Sequence, residues 1–130
     1  MLTNTDITLF NVRMGRRGEE YHKTYISGAS WKGKRLTALT EKGLLGEDEI
    51  SIRIPLNADT EGKLFVSSDI YDGNPDTWTL KAGDWIVLGI FGGEFADMDT
   101  NSPNVIQVRN VADNRDSRNS PRMQHWRVIG

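Results

Sequence analysis

Strict alternation of branched apolar and polar residues makes residues 49–55 the most constraining segment of this chain. Isoleucines at positions 50, 52 and 54 alternate with Glu49, Ser51 and Arg53. Because successive side chains of a strand point to opposite faces, this segment buries one row and exposes the other to water. Pro55 cannot donate to a central ladder and is expected to end the strand.

Similar extended patterns recur along the chain, and no stretch has the apolar period of an amphipathic helix. Residues 85–91 are apolar on both faces, which is typical of a strand covered on two sides. A short helix over 67–71 is an alternative to a loop there. The other predicted strands are 6–12, 20–27, 30–35, 105–111 and 125–129, with short extended pieces at 63–66 and 77–80.

Polar and glycine-containing segments separate these strands. Residues 13–18 are predicted as a loop or a hairpin connection, 92–103 as a hairpin loop and 36–48 as a loop, and 113–121 is polar throughout. Several short strands, long loops and no long helix favour an all-β fold, a small antiparallel β-barrel or sandwich. The length of 130 residues matches one domain over 1–130.

Charge and composition limit the classes of function. The net charge is -2, so nucleic-acid binding would need a local basic patch. The chain has no cysteine, which excludes disulfides and thiolate chemistry. The first residues lack the basic and apolar segments of a signal peptide, and no apolar run reaches the roughly 18 residues that span a membrane. These patterns predict a soluble protein without membrane contact.

No arrangement of residues predicts catalysis, a cofactor or a metal ion. The only histidines, His22 and His125, are not spaced with each other or with carboxylates as metal ligands are. Acidic groups at 47–49 and at Asp97 and Asp99 fit no EF-hand spacing and are better interpreted as solvated charge. The chain is therefore predicted to act by binding or assembly and not as an enzyme.

Two groups of arginines are candidates for contacts with phosphates or with carboxylates of a partner. Asp113 and Asp116 dilute the second group, which favours a solvated loop or a protein partner over nucleic acid. The first group is Arg13, Arg16 and Arg17, and the second is Arg115, Arg118, Arg122 and Arg127.

The four tryptophans are expected to differ in environment. Trp85 and Trp126 lie inside predicted strands and are assigned to the core. Trp31 and Trp78 flank polar segments, where aromatic residues of interfaces often lie, although packing is the favoured role for both.

A resemblance to a known group of proteins covers nearly the whole chain. It is carried by residues 7–11, 28–31, 50–55, 78–84, 113–115 and 120–128. Over these motifs the chain resembles a family of small uncharacterised proteins of long-tailed phages and prophages, which is similar to the head-closure proteins (stoppers, or head-tail adaptors). The Gly83-Asp84 turn and the strands predicted after it match the order of elements in those proteins.

The resemblance implies a structural virion protein of the phage neck, the head-tail connector, made in the host cytoplasm. A ring of about twelve or about six identical subunits would lie below the portal and adaptor proteins and above the tail terminator or tail tube. It would close the DNA-filled head, let DNA pass without sequence specificity and dock the tail. Within assembly, a tail terminator or minor capsid protein is the alternative. A nucleic-acid-binding β-barrel is the alternative of another class.

Contacts between subunits or with a DNA channel are predicted in the loops 13–18, 36–47 and 92–103. Exposed loops of this length often carry binding residues, and the acidic loop 92–103 is the first candidate for a gate. The candidate contact residues are Arg13, Arg16, Arg17, Leu44, Leu45, Glu94, Phe95, Asp97, Arg115 and Arg118.

Overall fold

Nearly all regular structure in this protein is β-strand, in a computed structural model that describes residues 2–33, 50–56, 58–100, 102, 104–114 and 125–130. The predicted all-β class is confirmed. Within these ranges a 3-10 turn covers Phe95–Asp97, and no helix is long and apolar enough to cross a membrane. The strands are β1 Leu2–Gly15, β2 Gly18–Gly33, β3 Ile50–Pro55, β4 Leu64–Phe65, β5 Thr77–Trp78, β6 Trp85–Leu88, β7 Val105–Gln107, β8 Asn110–Asn114 and β9 His125–Ile129.

Seven strands form one antiparallel sheet in the order β7-β6-β1-β2-β3-β9-β8. The two edge strands, β7 and β8, are separated in the chain only by Val108 and Arg109. Val108 N donates to Asp84 O beside β6, and Arg109 N donates to Ile129 O on β9, each at 2.7 Å. The sheet therefore coils until its two edges approach each other. No ladder joins β7 to β8, so the fold is sandwich-like and not a closed barrel.

The interior of the coiled sheet holds the main core, built from alternate residues of the strands as their patterns predict. The isoleucine row of β3 points inward, and so do Trp126 and Val128 of β9. The buried members are Ile7, Leu9, Ile26, Ala29, Trp31, Ile50, Ile52, Ile54, Trp78, Leu80, Ile86, Ile106, Val108, Trp126 and Val128.

The tryptophans follow the predicted environments only in part. Trp31 and Trp78 are 5% and 2% exposed and belong to the main core, which confirms the packing role favoured for both. Trp126 is buried as predicted, with its ring 5.1 Å from that of Trp78. Trp85 is half-buried on the outer face, because β6 points the neighbouring Ile86 inward.

A second apolar cluster covers the outer face of the sheet at β1, β6 and β7. Phe10, Val87 and Val105 are buried there together with Met98, which belongs to the segment that connects β6 to β7. β6 is therefore covered on both faces, as predicted for residues 85–91. It ends at Leu88 because Gly89, with a φ of 88°, turns the chain out of the sheet.

Several predicted boundaries differ from the structure. The extended patterns at 20–27 and at 30–33 belong to one strand, β2, and residues 34 and 35 of the second pattern lie outside the described residues. Residues 68–70 form a turn and not the short helix considered for 67–71. The extended pieces at 63–66 and 77–80 contain β4 and β5, which pair in parallel with each other. The predicted loop 36–48 and residues 115–121 of the polar segment lie outside the described residues.

Candidate functional site: a hairpin arm and a basic sheet face

The far end of the β1–β2 hairpin extends beyond the rest of the sheet. β6 pairs with β1 only over residues 7–10, and β3 pairs with β2 only over 30–33. Residues 12–21, which we call the arm, pair within the sheet only with each other. At a rise of about 3.3 Å per residue, the arm reaches roughly 15 Å past the ladder between β1 and β6.

The tip of the arm is a tight turn at Arg16 and Arg17, between the paired residues Gly15 and Gly18. Both arginines are exposed, and Met14 beside them is 72% exposed. The hairpin connection predicted for 13–18 is confirmed, although the strands continue further into it. Both arginines therefore lie where another molecule can reach them.

Arg13 lies on the arm itself and contacts a neighbour within the chain. Its Nη1 is 3.4 Å from Glu20 Oε2, across the hairpin. His22 Nε2 lies 3.3 Å from the same carboxylate oxygen, and the His22 ring contacts Tyr71 edge-on at 6.0 Å. The first arginine group thus divides into one paired member and two members at the tip.

A buried carboxylate holds the base of the arm. Asp84 is fully buried in the Gly83-Asp84 turn, and it accepts hydrogen bonds from Asn11 Nδ2 at 2.8 Å, Val12 N at 3.0 Å and Lys81 N at 3.1 Å. Burial raises the pKa of the Asp84 carboxyl above its usual value, against the opposing effect of these donors and of the Lys81 ammonium. The turn thus connects the arm to the sheet through a charged group.

The predicted gate is described over residues 92–100 and 102, and it packs against the base of the arm. The Phe95 ring stacks on Tyr21 with the ring centroids 3.9 Å apart, and it also contacts Phe10 and Trp85, each at 5.7 Å. The structure therefore brings the candidate Phe95 together with the arm.

The two acidic candidates of this loop lie in or beside the same 3-10 turn. Glu94 and Asp97 are both exposed, and Asp97 Oδ2 accepts a hydrogen bond from Glu94 N at 3.2 Å. The remaining candidates, Leu44, Leu45, Arg115 and Arg118, lie outside the described residues.

An open pocket with a volume of about 460 Å³ lies on the outer face of β2, β3 and β9. Register places Arg53 of β3 directly opposite Arg127 of β9, and Lys32 of β2 opposite Ser51 of β3. No carboxylate is among its described lining residues. We call this surface the basic face, and its lining residues are Ser30, Lys32, Gly33, Ser51, Arg53, His125 and Arg127.

The described ranges hold no group of three or more histidines, aspartates or glutamates that could bind a metal ion. His22 lies beside the arm, whereas His125 lines the basic face. The described arrangement offers cationic donors on the basic face and strand edges along the arm that no other strand pairs with.

Comparison with known proteins assigns the chain to a family. A model described as a family of unknown function, DUF6751, matches residues 2–130. The chain belongs to DUF6751. No curated protein and no solved structure matches it. Because the DUF6751 description gives neither a function nor a source, the resemblance to head-closure proteins stays a prediction.

Sequence reasoning about this DUF6751 chain missed the basic face. It grouped Arg127 with Arg115, Arg118 and Arg122, which are near it in the chain. The outward positions of Arg53 and Arg127 were readable, because each alternates with buried residues of its strand. Their pairing was not readable, since it depends on which strands lie side by side.

Proposed function

We propose that this protein is a structural virion protein of the phage neck, in which a ring of identical copies closes the DNA-filled head and docks the tail. The observation that carries the proposal is the arm, which projects from the sheet and exposes Met14, Arg16 and Arg17 at its end. The proposed partners are other copies of the chain, the portal and adaptor proteins above, and the tail terminator or tail tube below.

The arm suits contacts between identical subunits because no other strand of the described sheet pairs with its two edges, on which Val12 N alone is described as bound by Asp84. An exposed edge offers a row of backbone donors and acceptors that another chain can pair with. A ring of identical subunits uses heterologous contacts, in which one surface of each copy binds a different surface of the next. A projecting hairpin and a body supply two such surfaces.

The base of the arm is held from two directions, which fixes where the arm points. Asp84 binds Asn11 and Val12 on the β1 side, and Phe95 stacks on Tyr21 on the β2 side. A ring closes only if every copy presents its contact at the same angle. A fixed arm therefore supports a closed ring better than a flexible loop does.

Electron microscopy of particles from a phage or prophage that lacks this gene, with packaged DNA quantified, tests the proposal. Tailless heads that have lost their DNA are expected. DNA-filled heads beside unattached tails of irregular length would instead identify a tail terminator. Normal virions would overturn every structural role.

A shortened arm tests the subunit contact itself. Deleting four residues, Arg13 with its cross-strand partner Glu20 and Met14 with its partner Glu19, shortens the arm by about 6.6 Å. The remaining side chains keep their faces because two residues are removed from each strand and the strand period is two. The shortened chain is expected to fold but to fail in restoring DNA-filled, tailed particles. Arg13→Gln with Glu19→Gln and Glu20→Gln, which removes the charges of the deleted residues and keeps the arm length, is the matched control for charge and should restore such particles. Full restoration by the shortened chain would rule out the arm as the contact.

A further inference from the structure

We propose that the basic face, on β2, β3 and β9, binds the phosphodiester backbone of duplex DNA. The inference deepens the proposed function, in which DNA passes through a ring, and it rests on that function for the source of the DNA. The binding itself is a property of the isolated chain and can be measured without any particle.

The register of β3 and β9 is the first argument. Arg53 and Arg127 occupy directly paired positions, so their side chains leave the same face of neighbouring strands. Like charges directly opposite each other destabilise a sheet, whereas an anion between them removes the repulsion. A guanidinium group can donate two parallel hydrogen bonds to the oxygens of one phosphate. Two guanidinium groups side by side therefore form a site for a phosphate group.

Neighbouring side chains complete the site. Arg127 Nε donates to Ser51 Oγ at 3.3 Å, which orients the guanidinium along the face. Lys32 of β2 lies directly opposite Ser51 of β3, so the three cations Lys32, Arg53 and Arg127 span three adjacent strands. With strands about 4.8 Å apart, the row from Lys32 to Arg127 is roughly 10 Å wide, enough for one or two phosphates of a backbone.

The lining residues favour a duplex backbone over single-stranded nucleic acid. Single-strand sites stack bases on aromatic side chains, and the described lining of the basic face contains no tryptophan, tyrosine or phenylalanine. Trp31 and Trp78, the residues that a stacking platform would need, are buried in the main core. Contacts to phosphates alone carry no sequence information, as passage of any packaged DNA requires.

The test is fluorescence anisotropy of a labelled duplex of about 20 base pairs and arbitrary sequence, titrated with the purified chain between 50 and 300 mM NaCl. With about three cations engaged, the logarithm of the affinity should fall with the logarithm of salt concentration at a slope of about -2.7. Arg53→Gln with Arg127→Gln should weaken binding at least about tenfold at low salt and reduce the slope by about 2.

The single variants Arg53→Gln and Arg109→Gln are the matched comparison, because each removes one exposed arginine and Arg109 is not among the described lining residues of the basic face. Arg109→Gln should change the affinity less than about twofold. Equal losses in Arg53→Gln and Arg109→Gln, or no binding by the unchanged chain at 50 mM NaCl, would overturn the proposal. The proposal would also be overturned if the variant with Arg53→Gln and Arg127→Gln bound DNA with unchanged affinity but no longer associated with other copies of the chain. That result would assign the basic face to a protein contact. None of these results depends on the arm, so head closure could fail while DNA binding holds, or the reverse.

Discussion

Asn11 Nδ2 donates a hydrogen bond of 2.8 Å to the fully buried carboxylate of Asp84, across 73 positions of the chain. The same amide also donates to Thr79 O at 2.7 Å, and Asn11 Oδ1 accepts from Thr79 N at 3.3 Å. One side chain of β1 therefore satisfies polar groups before and within the turn that leads to β6. The position of the arm depends on this connection.

Asn11→Ala should lower the free energy of unfolding by about 2–3 kcal/mol, because it leaves buried polar groups of Asp84 and Thr79 without their partner. Urea denaturation measures the change. Asn104→Ala, at an exposed asparagine, is the control and should stay within about 0.5 kcal/mol of the unchanged protein. A similarly small effect for Asn11→Ala would show that the connection contributes little.

Asp84 should make stability depend on pH. Since burial raises the pKa of its carboxyl in the folded state, the folded chain holds this proton more tightly than the unfolded chain. The stabilisation of the folded state by Asp84 is then complete at pH values below the usual pKa of 3.8. It is lost as the pH rises through the raised pKa of the folded state. The stability difference between the unchanged protein and Asp84→Asn should fall as pH rises from about 4. A difference that grows with pH would mean that the donors outweigh burial.

Phe95→Ala should release the segment that connects β6 and β7 from the outer face, because Phe95 stacks on Tyr21 and contacts Phe10. We expect a loss of about 1–2 kcal/mol, given that the ring is only half-buried. Hydrogen exchange followed by mass spectrometry should show faster exchange over residues 92–100. Glu94→Gln is the control in the same turn. Unchanged exchange in Phe95→Ala would show that the stack does not hold the segment.

Arg53→Gln should leave stability unchanged or raise it by about 0.2–1 kcal/mol at low salt, because it removes a like charge opposite Arg127. The gain should vanish near 1 M NaCl, where the screening length is about 3 Å. Thermal unfolding of the unchanged protein and of Arg16→Gln gives the comparison. Destabilisation by Arg53→Gln would mean that the arginine supports the fold, which would weaken the case for a retained binding residue.

Trp78→Ala should cost more stability than Trp85→Ala, although the sequence assigned Trp85 to the core. Trp78 is 2% exposed and packs against Phe65 and Trp126, so its loss should cost about 3–5 kcal/mol. Trp85 is half-buried on the outer face, so the loss of its side chain should cost about 1–2 kcal/mol of stability. Chemical denaturation of both variants gives the comparison. Equal losses would contradict the assignment of Trp78 to the main core.

Local patterns in the sequence were sufficient to predict most strands and the faces of their side chains. Alternation over 49–55 predicted the buried row of β3, and the glycines around Arg16 and Arg17 predicted the hairpin tip. These features were readable because side-chain direction in a strand has a period of two and a tight turn is made by neighbouring residues. The same reasoning placed Trp126 in the core.

Only the tertiary structure decided which strands are neighbours, and the candidate sites depend on that. Arg53 and Arg127 are paired although they are 74 positions apart in the chain, and Phe95 stacks on Tyr21, which is also 74 positions away. Trp31 and Trp78 are buried because the sheet coils around them, which no local pattern records. Local sequence specifies the direction of each side chain, whereas pairing between distant strands is decided by how the whole core packs.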